Sequence, residues 1–220
     1  MDYALQVIAD HALTGAKLRE SFFKKEALRI IEIAKVMAVA LAQGSKIMFC
    51  GNGGSAADAQ HLAAELTNRF MIERPPLAGI ALTTDTSALT AIGNDYSFDF
   101  IFSKQVQALG HPGDILVAIS TSGNSQSILE ALMVARERGI ITIGLTGRKG
   151  GKMPPFCSHL LNVEAENTAL IQEIHITAGH LLCQLIDYYL FENVLEITPL
   201  LQSGSSLTPD NPSGTPGNNK

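Results

Sequence analysis

Short, dense apolar runs alternate along this chain with longer stretches in which apolar residues recur every three or four positions. The runs lie at 47–50, 77–82, 115–119, 140–145 and 160–163, and each reads as a buried strand. Between them the period changes. In 25–42 an apolar stripe of Ile30, Ile33, Ala34, Met37 and Leu41 leaves Arg29, Glu32 and Lys35 on the other side, the mark of an amphipathic helix. Residues 2–43 therefore predict two helices, the second closed by Gln43-Gly44 as a C-cap. After the first strand, Ala59, Leu62, Ala63, Leu66 and Phe70 keep helical spacing. Residues 83–94 predict a helix or turn ending at Gly93-Asn94-Asp95, 98–109 and 126–138 two further helices, and 146–157 a glycine- and proline-rich loop. The last helix is expected over 168–194. From His175 to Ile186 it holds no Asp, Glu, Lys or Arg, so that stretch belongs in the core or in a subunit interface.

Strands alternating with helices imply one α/β domain, residues 1–200, with a parallel sheet covered on both faces. Five strands suggest the doubly wound, flavodoxin-like order 2-1-3-4-5, in which strands one and three are neighbours at the switch point. The loops after those two strands are the ones rich in Gly, Ser and Asn, and the topology sets them side by side where ligands bind in open sheets. Residues 201–220 are Gly, Pro, Ser and Asn with almost nothing apolar, the composition of a disordered tail.

Composition narrows the partners. With 220 residues and a net charge of −5, no global field draws in nucleic acid or an anionic membrane. An anionic ligand must be held by local donors. No uncharged apolar run approaches the roughly 20 residues of a membrane span, and the N-terminus lacks a basic segment followed by an apolar block. Three cysteines without CxxC spacing read as reduced thiols, so a cytoplasmic protein is expected.

Two clusters carry the candidate chemistry. Ser120, Thr121, Ser122, Asn124 and Ser125 crowd the start of a helix, where hydroxyls, free N–H groups and the helix dipole suit a phosphate; ordinary capping needs only one of them. His61 and Glu65 are four apart on the helix that follows Gly51, Gly53 and Gly54, and so share one face. Gln172, Glu173, His175 and His180 lie in the last, largely apolar helix, where a polar group must find a partner. Imidazole and carboxylate are standard Zn²⁺ ligands. Gln172 and His180 stand about 12 Å apart along an ideal helix and roughly 80° round it, so Glu173 is the better-aligned alternative. His175 points elsewhere and suits a structural role. Asn94-Asp95 fits a sugar hydroxyl or a simple turn equally well. Arg69 suits the C-terminal end of the motif helix, and Lys149 and Lys152 suit solvent.

Together, GNGGSAADAQH-xxx-E at 51–65, GND at 93–95, STSGNS at 120–125, LTGRKGGKM at 145–153 and IQEIHxxxxH at 171–180 resemble the sugar isomerase (SIS) domain, and more narrowly the phosphoheptose isomerase family. The resemblance spans about residues 20–195. It implies conversion of sedoheptulose 7-phosphate to D-glycero-D-manno-heptose 7-phosphate, toward the heptose of bacterial lipopolysaccharide, by cytoplasmic homotetramers with zinc and sites between subunits. Carried over by position, it makes His61, Glu65, Gln172 and His180 the zinc ligands, with Glu65 and His180 as the acid/base pair. Asn52, Gly53, Gly54, Glu65, Asn94, Asp95, Ser120, Thr121, Ser122, Ser125 and Gln172 would hold the phosphorylated seven-carbon sugar. The chain departs from that pattern at Leu170, where related enzymes commonly carry Arg, and is plainer at Ala56 and Ala57. The rival readings are a non-catalytic SIS protein that binds the replication initiator, disfavoured by the presence of Glu65 and His180, and a sugar-phosphate sensor without turnover.

Overall fold

The computed structural model describes residues 2–202. A five-stranded parallel sheet, in the order β2-β1-β3-β4-β5, is built from β1 (Ile47–Gly51), β2 (Gly79–Ala81), β3 (Ile115–Ser120), β4 (Ile141–Gly147) and β5 (His159–Val163). The expected doubly wound order is the observed one. β1, β3 and β4 are buried along their whole length, as strands covered on both faces must be.

Two separate apolar layers cover the sheet. On one face α1 (Tyr3–Ala42), α2 (Gly54–Thr67) and α6 (Thr168–Asp187) pack over Ile47, Phe49, Val117, Ile143 and Leu161. On the other, α4 (Ser103–Leu109) and α5 (Gln126–Glu137) pack over Met48, Leu116 and Ala118. The short α3 (Thr86–Asp95) follows β2 and rests on the Phe98–Phe100 turn.

Several boundaries differ from the sequence expectation, each for a local reason. Residues 3–42 form one helix of 40 residues, not two. No proline interrupts it, and Gly15 serves close packing: a Cβ there would lie 3.2 Å from the Leu170 side chain. The expected helix over 98–109 splits into the Phe98–Phe100 turn, started by Ser97 Oγ accepting from the Asp99 N–H, and α4. α2 stops at Thr67, three residues short of Phe70, so Arg69 lies beyond the helix, exposed and 3.6 Å from Glu73. The last helix leaves α geometry at Asp187 and widens into a π turn over Tyr188–Glu192. Leu201 and Gln202, expected in the tail, end α7 (Thr198–Gln202); the rest of the expected disordered tail lies outside the described residues.

Candidate functional site

The glycine turn after β1 is dictated by contact. A Cβ on Gly51 would strike the backbone of Ser55, and Gly53 takes φ +56°, a conformation that L side chains rarely adopt. α2 therefore starts close against the strand end. Because β1 pairs with β3, Gly51 stands opposite Ile119 and the two polar loops meet. The Asn52 amide bridges them directly by donating to Ser127 Oγ at 3.0 Å. Within the second loop Ser120 Oγ donates to Ser125 Oγ at 3.4 Å, and the Asn124 N–H donates to Ser122 Oγ at 3.2 Å. Neither Gly53 at the start of α2 nor Ser125 at the start of α5 caps its helix with a side chain. Two helix N-termini with uncapped ends thus open on one rim of the sheet, a geometry suited to anions.

Farther along, α2 and α6 run side by side in contact. A Cβ on Gly179 would lie 2.5 Å from the Leu62 side chain, so the glycine sets the close approach of the helices. That approach joins His61 and Glu65 of α2 to His180 of α6. His61 Nε2 lies 2.9 Å from His180 Nε2 and 3.2 Å from Glu65 Oε1. The imidazoles meet edge to face, and Phe70 stacks on His180 with ring centroids 5.5 Å apart and planes at 18°. His61 is half-exposed while Glu65 is 19% exposed. Burial, and next the His61 ring, push His180 below the usual imidazole value, and Glu65 opposes them.

These three donors fit a metal ion. One ligand atom from each of His61, Glu65 and His180 lies within 4.8 Å of the others. A tetrahedral Zn²⁺ with bonds of about 2.0–2.2 Å holds its ligand atoms about 3.3–3.5 Å apart, close to the 2.9 and 3.2 Å found here. Two imidazole Nε2 atoms face each other, an arrangement that needs a shared proton or cation between the lone pairs.

The remaining expected residues are placed as follows. Gln172 packs its amide against the start of α2, where a Cβ on Gly54 would lie 2.5 Å from Nε2. That contact is seven residues before His61, about 10 Å along the helix. Glu173, the better-aligned alternative on an ideal helix, turns the other way and pairs with His11 of α1 at 2.8 Å. His175 is buried, with Nε2 at 3.0 Å from the Thr146 carbonyl, a structural role as expected. Asn94 and Asp95 sit exposed in the last turn of α3, the Asn94 amide donating to Asp95 Oδ1 at 2.8 Å. Lys149 and Lys152 face solvent. Leu170 is buried beneath α1 against Gly15, so this expected departure from the family pattern is a packing position in this chain.

Three participants carried no signal in the sequence. Phe70 follows the helix it was expected to end, and its stacking on His180 depends on the turn after Thr67. Ser127 meets Asn52 only across two strands. Asp58, one turn before His61, has a buried Oδ2 without a partner, and burial raises its carboxyl.

Comparison with known proteins decides the family. A sequence profile of the SIS domain family matches residues 13–147. The phosphoheptose isomerase of Nitratidesulfovibrio vulgaris is 63% identical over 201 residues, covering 91% of this chain and 97% of its own. The chain belongs to the SIS domain family, among the phosphoheptose isomerases. It is thus an isomerase by class. Its solved SIS relatives include the phosphoheptose isomerase of Neisseria gonorrhoeae, 49% identical with a TM-score of 0.79 over 84% of this chain and 98% of that one. The Francisella tularensis enzyme is 40% identical with a TM-score of 0.81 over the same shares.

Proposed function

We propose that the chain interconverts sedoheptulose 7-phosphate and D-glycero-D-manno-heptose 7-phosphate, supplying the heptose of a bacterial lipopolysaccharide. The observation that carries the reading is the meeting of His61, Glu65 and His180 between α2 and α6, both of which start at the edge of the sheet where the polar loops lie. Aldose–ketose exchange takes a proton from one carbon and returns it to its neighbour, while a second proton leaves one oxygen and reaches the other. Glu65 is the base for carbon. His180, favoured as the neutral ring by its burial and by His61, moves the proton between oxygens. Asn52, Gly53 and Gly54 with Ser120, Thr121, Ser122 and Ser125 hold the phosphate by hydroxyls and helix-start N–H groups, and Gln172, packed on Gly54, reaches the sugar between them. Asn94 and Asp95 contribute hydroxyl contacts.

Zn²⁺ is the cofactor we assign to His61, Glu65 and His180; Gln172, expected as a fourth ligand, packs on Gly54 about 10 Å along α2 from His61 and is left to the sugar. When bound, it would polarise the sugar carbonyl and spread the enediolate charge. A homotetramer with sites at subunit interfaces is part of the same reading. Tyr3, Leu5, Val7, Ile8 and Leu13 near the start of α1 are exposed, and so many apolar side chains on one exposed segment favour association. A cytoplasmic setting agrees with three free cysteines and with the finding that, among the described residues, no helix is long and apolar enough to cross a membrane.

Incubation with sedoheptulose 7-phosphate, followed by NMR, is expected to yield the aldoheptose phosphate. Glu65→Gln and His180→Gln should each lower kcat about 10²- to 10⁴-fold. Metal analysis should return one zinc per chain, lost in His61→Ala. No product from zinc-supplied protein would overturn the catalytic reading and favour a binding role.

A further inference from the structure

Behind the site lies a buried cation that the chemistry above does not use. The Arg74 side chain is 1% exposed and its Nε donates to Asp187 Oδ1 at 2.9 Å. Its Nη2 donates to the Glu65 carbonyl at 2.8 Å, and its Nη1 to the carbonyls of Leu66 at 2.7 Å, Asn68 at 3.1 Å and Pro75 at 3.2 Å. Asp187 is the last residue of α6. One guanidinium therefore ties together the C-terminal ends of the two helices that carry His61, Glu65 and His180. Arg74, Asp187 and Glu65 are also the charged neighbours of the Cys183 thiol, one turn before Asp187, which sets clamp and site around one buried point.

We propose that Arg74 is a positioning residue: it fixes the last turn of α2 against α6 and so holds Glu65 and His61 opposite His180. The inference rests on the isomerase reading for its catalytic consequence, but not for its geometry. A buried ion pair is weak evidence of stabilisation, because desolvation offsets the attraction and an apolar pair of similar volume often does as well. Asp187 Oδ2 has no partner, so this pair is not arranged for greatest stability. Its directional bonds do specify where the Glu65 backbone lies. A site that needs its groups within about 0.5 Å of working geometry requires such a fixture. Lysine in its place keeps the charge and loses the planar fork.

The test compares Arg74→Lys and Asp187→Asn with wild type and with Ile128→Val, a core change on the opposite sheet face. Ring signals of His61 and His180, assigned by substitution and read by NMR in metal-free protein, should shift in both clamp variants. Those of His159 and His175 should stay, and Ile128→Val should move none of the four. Zinc affinity, measured against a competing chelator, should fall about tenfold or more. At a temperature where all variants are folded, kcat should fall about tenfold with KM within about twofold, since the phosphate loops are untouched. Clamp variants that lose thermal stability like Ile128→Val, yet keep wild-type ring signals and zinc affinity, would overturn the proposal. If Arg74→Lys does not fold, Asp187→Asn, which keeps the bonds to the carbonyls, is read alone by the same criteria. The ring signals decide the matter without ion or sugar, so a wild type without turnover would sink the functional reading and leave this one standing or falling on its own.

Discussion

His175 shows how a single buried side chain makes the fold sensitive to pH. Burial holds it down to about 4, against 6.5 for an ordinary imidazole, and the bond to the Thr146 carbonyl opposes this only weakly. The unfolded chain takes up a proton near pH 6.5 that the folded chain refuses until about pH 4, so stability is full above 6.5 and declines through that window. The loss should reach about 2 kcal/mol by pH 5. Thermal melts at pH 7.5 and 5.0 are expected to show a smaller drop for His175→Gln than for wild type, although the variant starts lower. His159 and His180 are also held low by burial and give both proteins a residual slope. Asp58 illustrates the opposite sign. Its desolvated carboxyl has no partner for Oδ2, so Asp58→Asn should melt at the same temperature as wild type or higher at pH 7, where the charged form is the costly one. The His61–Glu65 pair was legible because helical spacing stacks residues four apart. Phe70 on His180 was not, because the chain leaves the helix at Thr67, and local periodicity says nothing about where a departing chain turns.

At the scale of elements, the decisive contact is the approach of α6 to α2 at Gly179. Gly179→Ala puts a methyl 2.5 Å from Leu62, an overpacking that costs about 1–3 kcal/mol. It should separate His61 from His180, with zinc affinity and kcat falling more than the melting temperature suggests; a parallel decline in all three would refute that. Strand order and the meeting of the two polar loops could be read from alternation alone, since a parallel sheet with short connections allows few topologies. The lengths of helices could not. Two helices were expected over 2–43 where α1 is one, and Gly15 within it is a close contact with Leu170. Glu173 departs from the ideal-helix expectation, which favours it for the His180 side, because His11 on α1 claims it, while Gln172 packs on Gly54.

At the scale of the whole molecule, α1 is a rod of 40 residues, about 60 Å long, of which the half before Phe22 buries almost nothing. Substituting Leu5 and Ile8 with Asp should lower the mass seen by light scattering while leaving the melting transition of the α/β body in place; an unchanged mass would remove the start of α1 from the assembly. The exposed half of that rod touches α6: His11 holds Glu173, Arg19 donates to Thr177 Oγ1 at 3.0 Å, and Gly15 admits Leu170. Those anchor points fall on the helix that bears His180. A lever is the fitting mechanical image, with a short arm free before His11 and a long arm pinned along the body, past the helix of the imidazole. Whatever grips the outer end thereby gains purchase on the spacing of two rings that stand 2.9 Å apart, and neighbouring copies in an assembly would feel one another's strain through the same arm.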